Sequence, residues 1–137
     1  MSVLGELQPN KVFKYFEEIC SIPHGSRNLQ QISDYLVDFA KAHGLKYRQD
    51  EDLNVIIWKD GSKGYEASEP VILQGHMDMV AVKEVDCDKD MEKEGLDLEI
   101  NGEYISAKGT SLGGDDGIAI AMALAVLDSD NIPHPPI

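Results

Sequence analysis

No apolar run in this sequence approaches the roughly 18 residues that a bilayer-crossing helix needs. The opening MSVLGELQPN has neither the basic start nor the apolar stretch of a secretory leader, so none is expected. There are only two cysteines, Cys20 and Cys87, far apart and in no metal-binding spacing. That excludes a disulfide scaffold and points to a reducing compartment, with the cytoplasm as the expected location. Positive charge is scarce: 12 Lys and Arg stand against 25 Asp and Glu, a net charge of −13. Such a surface repels a phosphate backbone and an anionic bilayer, so neither nucleic acid nor membrane is an expected partner. Internal repeats and low-complexity tracts are absent as well.

What is present suits one soluble globular domain. Of 137 residues, 42% are apolar and 27% charged, enough of each for a packed core and a wetted surface. The charge is uneven. Residues 1–50 carry six acids and six bases, whereas residues 84–103 carry nine acids and two lysines. The second stretch reads as an acidic surface excursion.

Val12, Phe13, Phe16, Ile19 and Cys20 recur at helical spacing, which predicts an amphipathic helix over 11–22, closed by Pro23. A second helix is predicted over 29–43, with Ile32, Leu36, Phe39 and Ala40 on one face and Gly44 as its stop. The period then changes. Residues 45–49 and 53–58 read as strands around an acidic turn. The run Val71-Ile72-Leu73 reads as a strand buried on both faces. Residues 98–107 contain Asn101-Gly102, a two-residue hairpin signal. A glycine-rich loop over 109–117 precedes IAIAMALAVL, apolar nearly all round and so predicted as a buried helix. Residues 131–137 read as leading into a further strand. Helices, strands and loops in this order indicate an α/β fold.

Two places could carry chemistry. His76 and Asp78 sit two apart just past an apolar run, so an extended backbone turns both to the same side. An imidazole there can hold a metal while the carboxylate orients it, although, judged alone, the pair is better described as a core-edge histidine with an acid in an ordinary loop. Asp115 and Asp116 follow glycines and precede a helix. Taken alone they read as a helix N-cap, yet one cap needs one acid, and a second carboxylate presented among glycines could bridge two cations. Asp86, Asp88 and Asp90 have the 1-3-5 spacing of a calcium loop. That loop would need glycine where Met91 stands and glutamate where Asp97 stands, which leaves a solvated acidic surface. GTSLGG shares only its glycines with a phosphate loop, since no Lys-Ser/Thr follows. His24, His43 and His134 sit in a loop, at a helix end and between prolines. Cys20 lies on the apolar face of the first helix and reads as core, and Trp58 as a packing residue.

The combination says more than its parts. VILQGHMDMV, then about thirty residues, then GTSLGGDDGIAIAMALA resemble the dinuclear-zinc metallopeptidases of the aminoacylase and carboxypeptidase type, their dipeptidase branch most of all. The likeness continues through LQPNKVFKYFEEICSIPHGSRN, QISDYLVDFAKAHGL, LNVIIW and LDSDNIPHPPI. It implies a three-layer α/β/α sandwich, with residues 1–137 as the N-terminal part of the catalytic domain and the lid and dimerisation domain absent. His76 matches a zinc-ligating histidine, Asp78 the acid that orients it, and Asp115 the aspartate that bridges two zinc ions. Manganese or cobalt would also suit one histidine and carboxylates. Asp116 stands where many relatives have asparagine, and the Asp115–Asp116 peptide is expected to be cis.

The implied activity is zinc-dependent hydrolysis of dipeptides, Xaa-His among them. Metal-held water has a lowered pKa, a glutamate is the general base, and the zinc ions polarise the scissile carbonyl. The implied partners are a dipeptide substrate and, for the full-length parent, a second copy joined through the lid domain. The family's paired glutamates and its later aspartate and histidine ligands follow the HPPI-like segment and are not in this sequence. An open catalytic zinc keeps three protein ligands, and His76 with Asp115 make two. The 137 residues alone are therefore expected to be inactive. Two other readings stay open: a non-catalytic acidic module that binds a cation or basic partner through 84–97, and a degenerate paralogue that kept the fold without the chemistry. A helix apolar all round also expects cover on several sides, so an exposed apolar patch is anticipated.

Overall fold

The computed structural model describes all 137 residues. Its elements, in chain order, are helices α1 (Asn10–Cys20) and α2 (Gln30–Ala42), strands β1 (Lys46–Gln49), β2 (Val55–Trp58), β3 (Leu98–Asn101) and β4 (Tyr104–Ala107), and helix α3 (Gly114–Leu127). The α/β expectation holds, with helices and small sheets in one chain.

The two amphipathic helices form where their periodicity places them. Tyr15, Phe16, Ile19 and Cys20 of α1 are buried, as are Ile32, Leu36, Phe39 and Ala40 of α2. The inner faces meet around Ile19, Ile32 and Leu124, all 2% exposed or less. Leu4 joins this core from the N-terminal segment, which Glu17 ties down by accepting from the Ser2 hydroxyl and the Val3 N–H, both at 2.6 Å. Gly44, at φ +63°, ends α2 as its freedom from a Cβ allows.

β1 and β2 pair antiparallel, with Lys46 opposite Trp58 and Gln49 opposite Val55. The acidic turn between them is organised by Asp50, whose Oδ1 accepts from the backbone of Asp52 and Asn54. Buried Ser33 of α2 fastens this hairpin, donating to the Leu53 carbonyl at 2.7 Å and accepting from Gln49 Nε2 at 2.8 Å. In the second hairpin Asn101 faces Tyr104, so the two loop residues are Gly102 and Glu103. The turn lies one residue later than the Asn-Gly signal suggests, because the Asn101 side chain is used within the ladder, donating to Ser106 Oγ and Glu99 Oε1 at 3.0 Å each.

The strand expected at 71–73 is a correction. Val71, Ile72 and Leu73 are extended but belong to no sheet, and they are 45%, 88% and 46% exposed. A buried strand needs a neighbour on each side, and here only one ladder-like bond forms, from Val71 N–H to the Pro136 carbonyl at 2.9 Å. Ile137 meanwhile exchanges both backbone bonds with Lys59, at 2.8 and 2.9 Å. Residues 136–137 thus lie between the end of β2 and Val71 without forming a strand.

Helix α3 is also less enclosed than its composition suggests. Gly117, Ala121, Leu124 and Ala125 are buried, but Met122 is 53% exposed. One side packs on α1. The other lines an open apolar groove of about 410 Å³ with Val55, Trp58, Val71, Leu73 and Ile120. Lys59 closes the C-terminal end of α3 by donating to the carbonyls of Leu127 and Ser129 at 2.9 and 2.8 Å.

Candidate metal centre

The site forms where three separate pieces of chain meet. The first is the 74–80 segment, which leaves the groove and carries His76 and Asp78. The second is the start of α3. Asp115 (φ −90°, ψ 103°) and Asp116 (φ −122°, ψ 29°) are not helical, so the regular helix starts at Gly117. The Asp115–Asp116 peptide is cis. Gly113 precedes them at φ +72°, and a Cβ there would stand 2.9 Å from Met79 Cβ. Only glycine meets both conditions without displacement, and this brings the α3 start against the 74–80 segment.

The third piece is the loop leaving α1. Gly25 bridges Met79 in parallel register. Met79 N–H donates to the His24 carbonyl and Ser26 N–H donates to the Met79 carbonyl, each at 3.0 Å. His24 is 2% exposed, and its Nδ1 lies 2.6 Å from the Ile22 carbonyl. Burial holds its pKa below the ordinary histidine value, against the pull of that carbonyl and of Asp78.

These pieces bring His76, Asp78 and Asp115 together. His76 Nδ1 lies 3.0 Å from the Asp78 carbonyl and 3.1 Å from Asp78 Oδ1. Both are acceptors, so Nδ1 carries the proton. His76 Nε2 lies 2.9 Å from Asp115 Oδ1, a residue 39 positions away. A proton on each nitrogen makes the ring an imidazolium between two carboxylates. The His76 pKa is accordingly raised, first by the Asp115 hydrogen bond and then by the Asp78 carbonyl and the two negative charges. Asp78 is held below the usual carboxylate range, first by the Ser26 hydroxyl on Oδ2 at 2.6 Å and also by His76.

The donor set suits a divalent cation. A cation can take the place of the second proton, because it too is positive and accepts the Nε2 lone pair and an Asp115 oxygen. Two ligands on one tetrahedral zinc at 2.0–2.1 Å stand about 3.3 Å apart, close to the 2.9 Å found here. Asp115 is 95% exposed at its side chain, so a further ligand can reach it. Asp78 faces the other ring nitrogen, where it could orient the ring for a cation on Nε2. No third His, Cys, Asp or Glu converges on the same point. Asp116 lies beside the same segment, its Oδ2 3.2 Å from where a Cβ on Gly75 would sit, and it makes no hydrogen bond to His76.

The acidic excursion does not gather into a site. Asp90 accepts from Glu92 N–H and pairs with Lys93 at 3.2 Å, and Lys89 pairs with Asp97 at 3.1 Å. Asp86, Asp88 and Asp90 form no cation-binding group. Cys20 is core, 1% exposed, and burial raises its thiol pKa to about 12. Sequence reasoning missed Ser26. It lies 52 residues from Asp78, and no spacing rule connects a loop serine to a carboxylate across that distance.

No protein-family model matches the chain. All 137 residues align at 42% identity with 28% of the cytosol non-specific dipeptidase of Escherichia coli (strain K12). The fold matches aminoacylhistidine dipeptidase from Vibrio alginolyticus with a TM-score of 0.95 and 41% identity, over 98% of this chain and 27% of that one. A tripeptidase from Staphylococcus aureus matches with a TM-score of 0.74 and 25% identity, over 97% of this chain and 36% of that one. The chain thus spans little more than a quarter of the length of the two dipeptidases. It is similar to cytosol non-specific dipeptidase in sequence along all of its own length, and to aminoacylhistidine dipeptidase in backbone along 98% of it.

Proposed function

We propose that these residues form part of a zinc-dependent dipeptidase that hydrolyses short peptides, Xaa-His among them. One observation carries the reading: His76 Nε2 and Asp115 Oδ1 meet at 2.9 Å while Asp78 holds the opposite ring nitrogen. The likeness to dipeptidases over the whole chain supports it.

His76 and Asp115 would hold the metal. Bound there, zinc supplies a water of lowered pKa and polarises the peptide carbonyl. Asp78 keeps the proton on Nδ1, so Nε2 offers its lone pair to the cation. The exposed Asp115 carboxylate can reach a second cation through its free oxygen. Two ligands fall short of the three an open catalytic zinc keeps, so we assign turnover to a longer chain and none to these 137 residues alone.

The test begins with the codons that follow Ile137 in the source DNA. The protein read through them, loaded with zinc, is expected to hydrolyse Ala-His. His76→Ala or Asp115→Ala should each lower kcat/KM by about 10³-fold or more, since each removes a metal ligand worth several kcal/mol. Unchanged activity in both variants overturns the site, and turnover by the 137 residues alone overturns the division of labour.

A further inference from the structure

We propose that Ser26 is a positioning residue for the metal centre: its hydroxyl fixes the plane of the Asp78 carboxylate, which in turn fixes the His76 ring. The proposal rests on the metal-site reading above and adds to it a residue from a different part of the chain.

The geometry runs in one line. Ser26 Oγ donates to Asp78 Oδ2 at 2.6 Å, Asp78 Oδ1 accepts from His76 Nδ1 at 3.1 Å, and His76 Nε2 reaches Asp115 Oδ1 at 2.9 Å. The carboxylate torsion of an aspartate is soft and nearly two-fold, so one partner on one oxygen leaves the plane free to swing. A partner on each oxygen removes that freedom. The hydroxyl has a second acceptor within reach, the Met79 carbonyl at 3.4 Å, but the contact to Asp78 is shorter by 0.8 Å and charge-assisted.

Ser26 is itself held. Its N–H donates to the Met79 carbonyl, and Gly25 lies so close to the partner segment that a Cβ there would stand 2.8 Å from Ala81 Cβ. Through His24 and Ile22 this loop continues into α1, whose Ile19 and Cys20 are core. The chain of contacts therefore couples an exposed histidine to the buried face of α1. A bland alternative is that Ser26 merely staples a loop. The backbone bonds already do so without the hydroxyl, and Oγ turns to the carboxylate that faces His76 Nδ1.

The experiment uses this chain with two readouts. The first is the His76 Nδ1–H resonance in metal-free, ¹⁵N-labelled protein. It should be sharp in the wild type and in Ser26→Thr, and exchange-broadened in Ser26→Ala. The second is the visible absorption of added Co²⁺. Its apparent affinity should fall about tenfold in Ser26→Ala and return in Ser26→Thr, within the range that outer partners of a metal ligand exert. Ser26→Val against Ser26→Thr repeats the comparison at constant shape, should the alanine variant fold poorly. A His76 resonance that ignores loss of the hydroxyl overturns the proposal. So does a Co²⁺ site that vanishes in His76→Ala yet binds equally in Ser26→Ala, and in that case the metal site stands. If wild type binds no Co²⁺ while the ring resonance follows the hydroxyl, the positioning contact stands, and the metal reading is decided by the activity of His76→Ala and Asp115→Ala in the longer protein.

Discussion

The Tyr15 hydroxyl donates to Asp128 Oδ2 at 2.7 Å, joining the middle of α1 to the end of α3 across 113 positions. Asp128 also receives His43 Nε2 on its other oxygen at 3.0 Å and Lys11 at 3.4 Å. Three helices thus converge on one carboxylate that is 23% exposed.

Tyr15→Phe should therefore lower stability by about 1.5 kcal/mol, the scale of a hydrogen bond to a charged group, read by urea unfolding. Burial opposes the charge on Asp128, but Tyr15, Lys11 and His43 outweigh it, so its folded pKa lies below the usual value. The unfolded chain then binds the proton first as pH falls. The contribution is complete above the ordinary aspartate pKa near 3.8 and drains away as pH drops through the lower folded value. Tyr15→Phe should make the acid limb of the stability curve shallower. An unchanged limb would show that Asp128 does not carry it.

How much of this was legible beforehand depends on distance along the chain. The faces of α1 and α2 follow from apolar spacing within one turn of helix, and the β1–β2 hairpin from alternation across a short turn. That His76, Asp78 and Asp115 belong together was legible because their neighbours form recognisable strings. Ser26 and Asp128 were not, since each acquires its meaning from a contact more than fifty residues away. Val71-Ile72-Leu73 misled because three apolar residues say that a strand would like cover, without saying whether cover is supplied.

Gly113→Ala should destabilise by about 1–2 kcal/mol through its left-handed φ alone, with a further cost from the Met79 contact. Met79→Ala would not relieve that contact, because alanine keeps the Cβ that the new side chain meets at 2.9 Å. Chemical denaturation of Gly113→Ala against the wild type checks this, and an unchanged midpoint would mean that neither the backbone conformation nor the contact costs anything.

The thiols should separate cleanly. Cys87 is half-buried, while Cys20 is 1% exposed with its pKa pushed up to about 12. Ellman's reagent should label one thiol quickly in the native protein and both after denaturation. Cys87→Ser should remove the fast phase. Rapid native labelling of Cys20 would contradict the packing of α1.

The apolar groove should bind the dye ANS in native buffer, because Ile72, 88% exposed, lies beside Val71 and Leu73 at its edge. Ile72→Lys should lower the fluorescence without altering the unfolding midpoint. Fluorescence equal to that of a well-covered globular control would show the groove closed in solution.

The partnership of α1 with α3 also sets an order of events during synthesis. About ninety residues separate the end of the first helix from the start of the second. At cellular translation rates α1 emerges roughly 5–20 s before the surface that covers Phe16 and Ile19 exists. Throughout that interval α2 offers the stripe only a partial mate, Phe39 against Tyr15, and the cover that α3 gives is missing. The α1 segment is thus the natural place for a holding chaperone to grip, with the completion of α3 as the signal to let go.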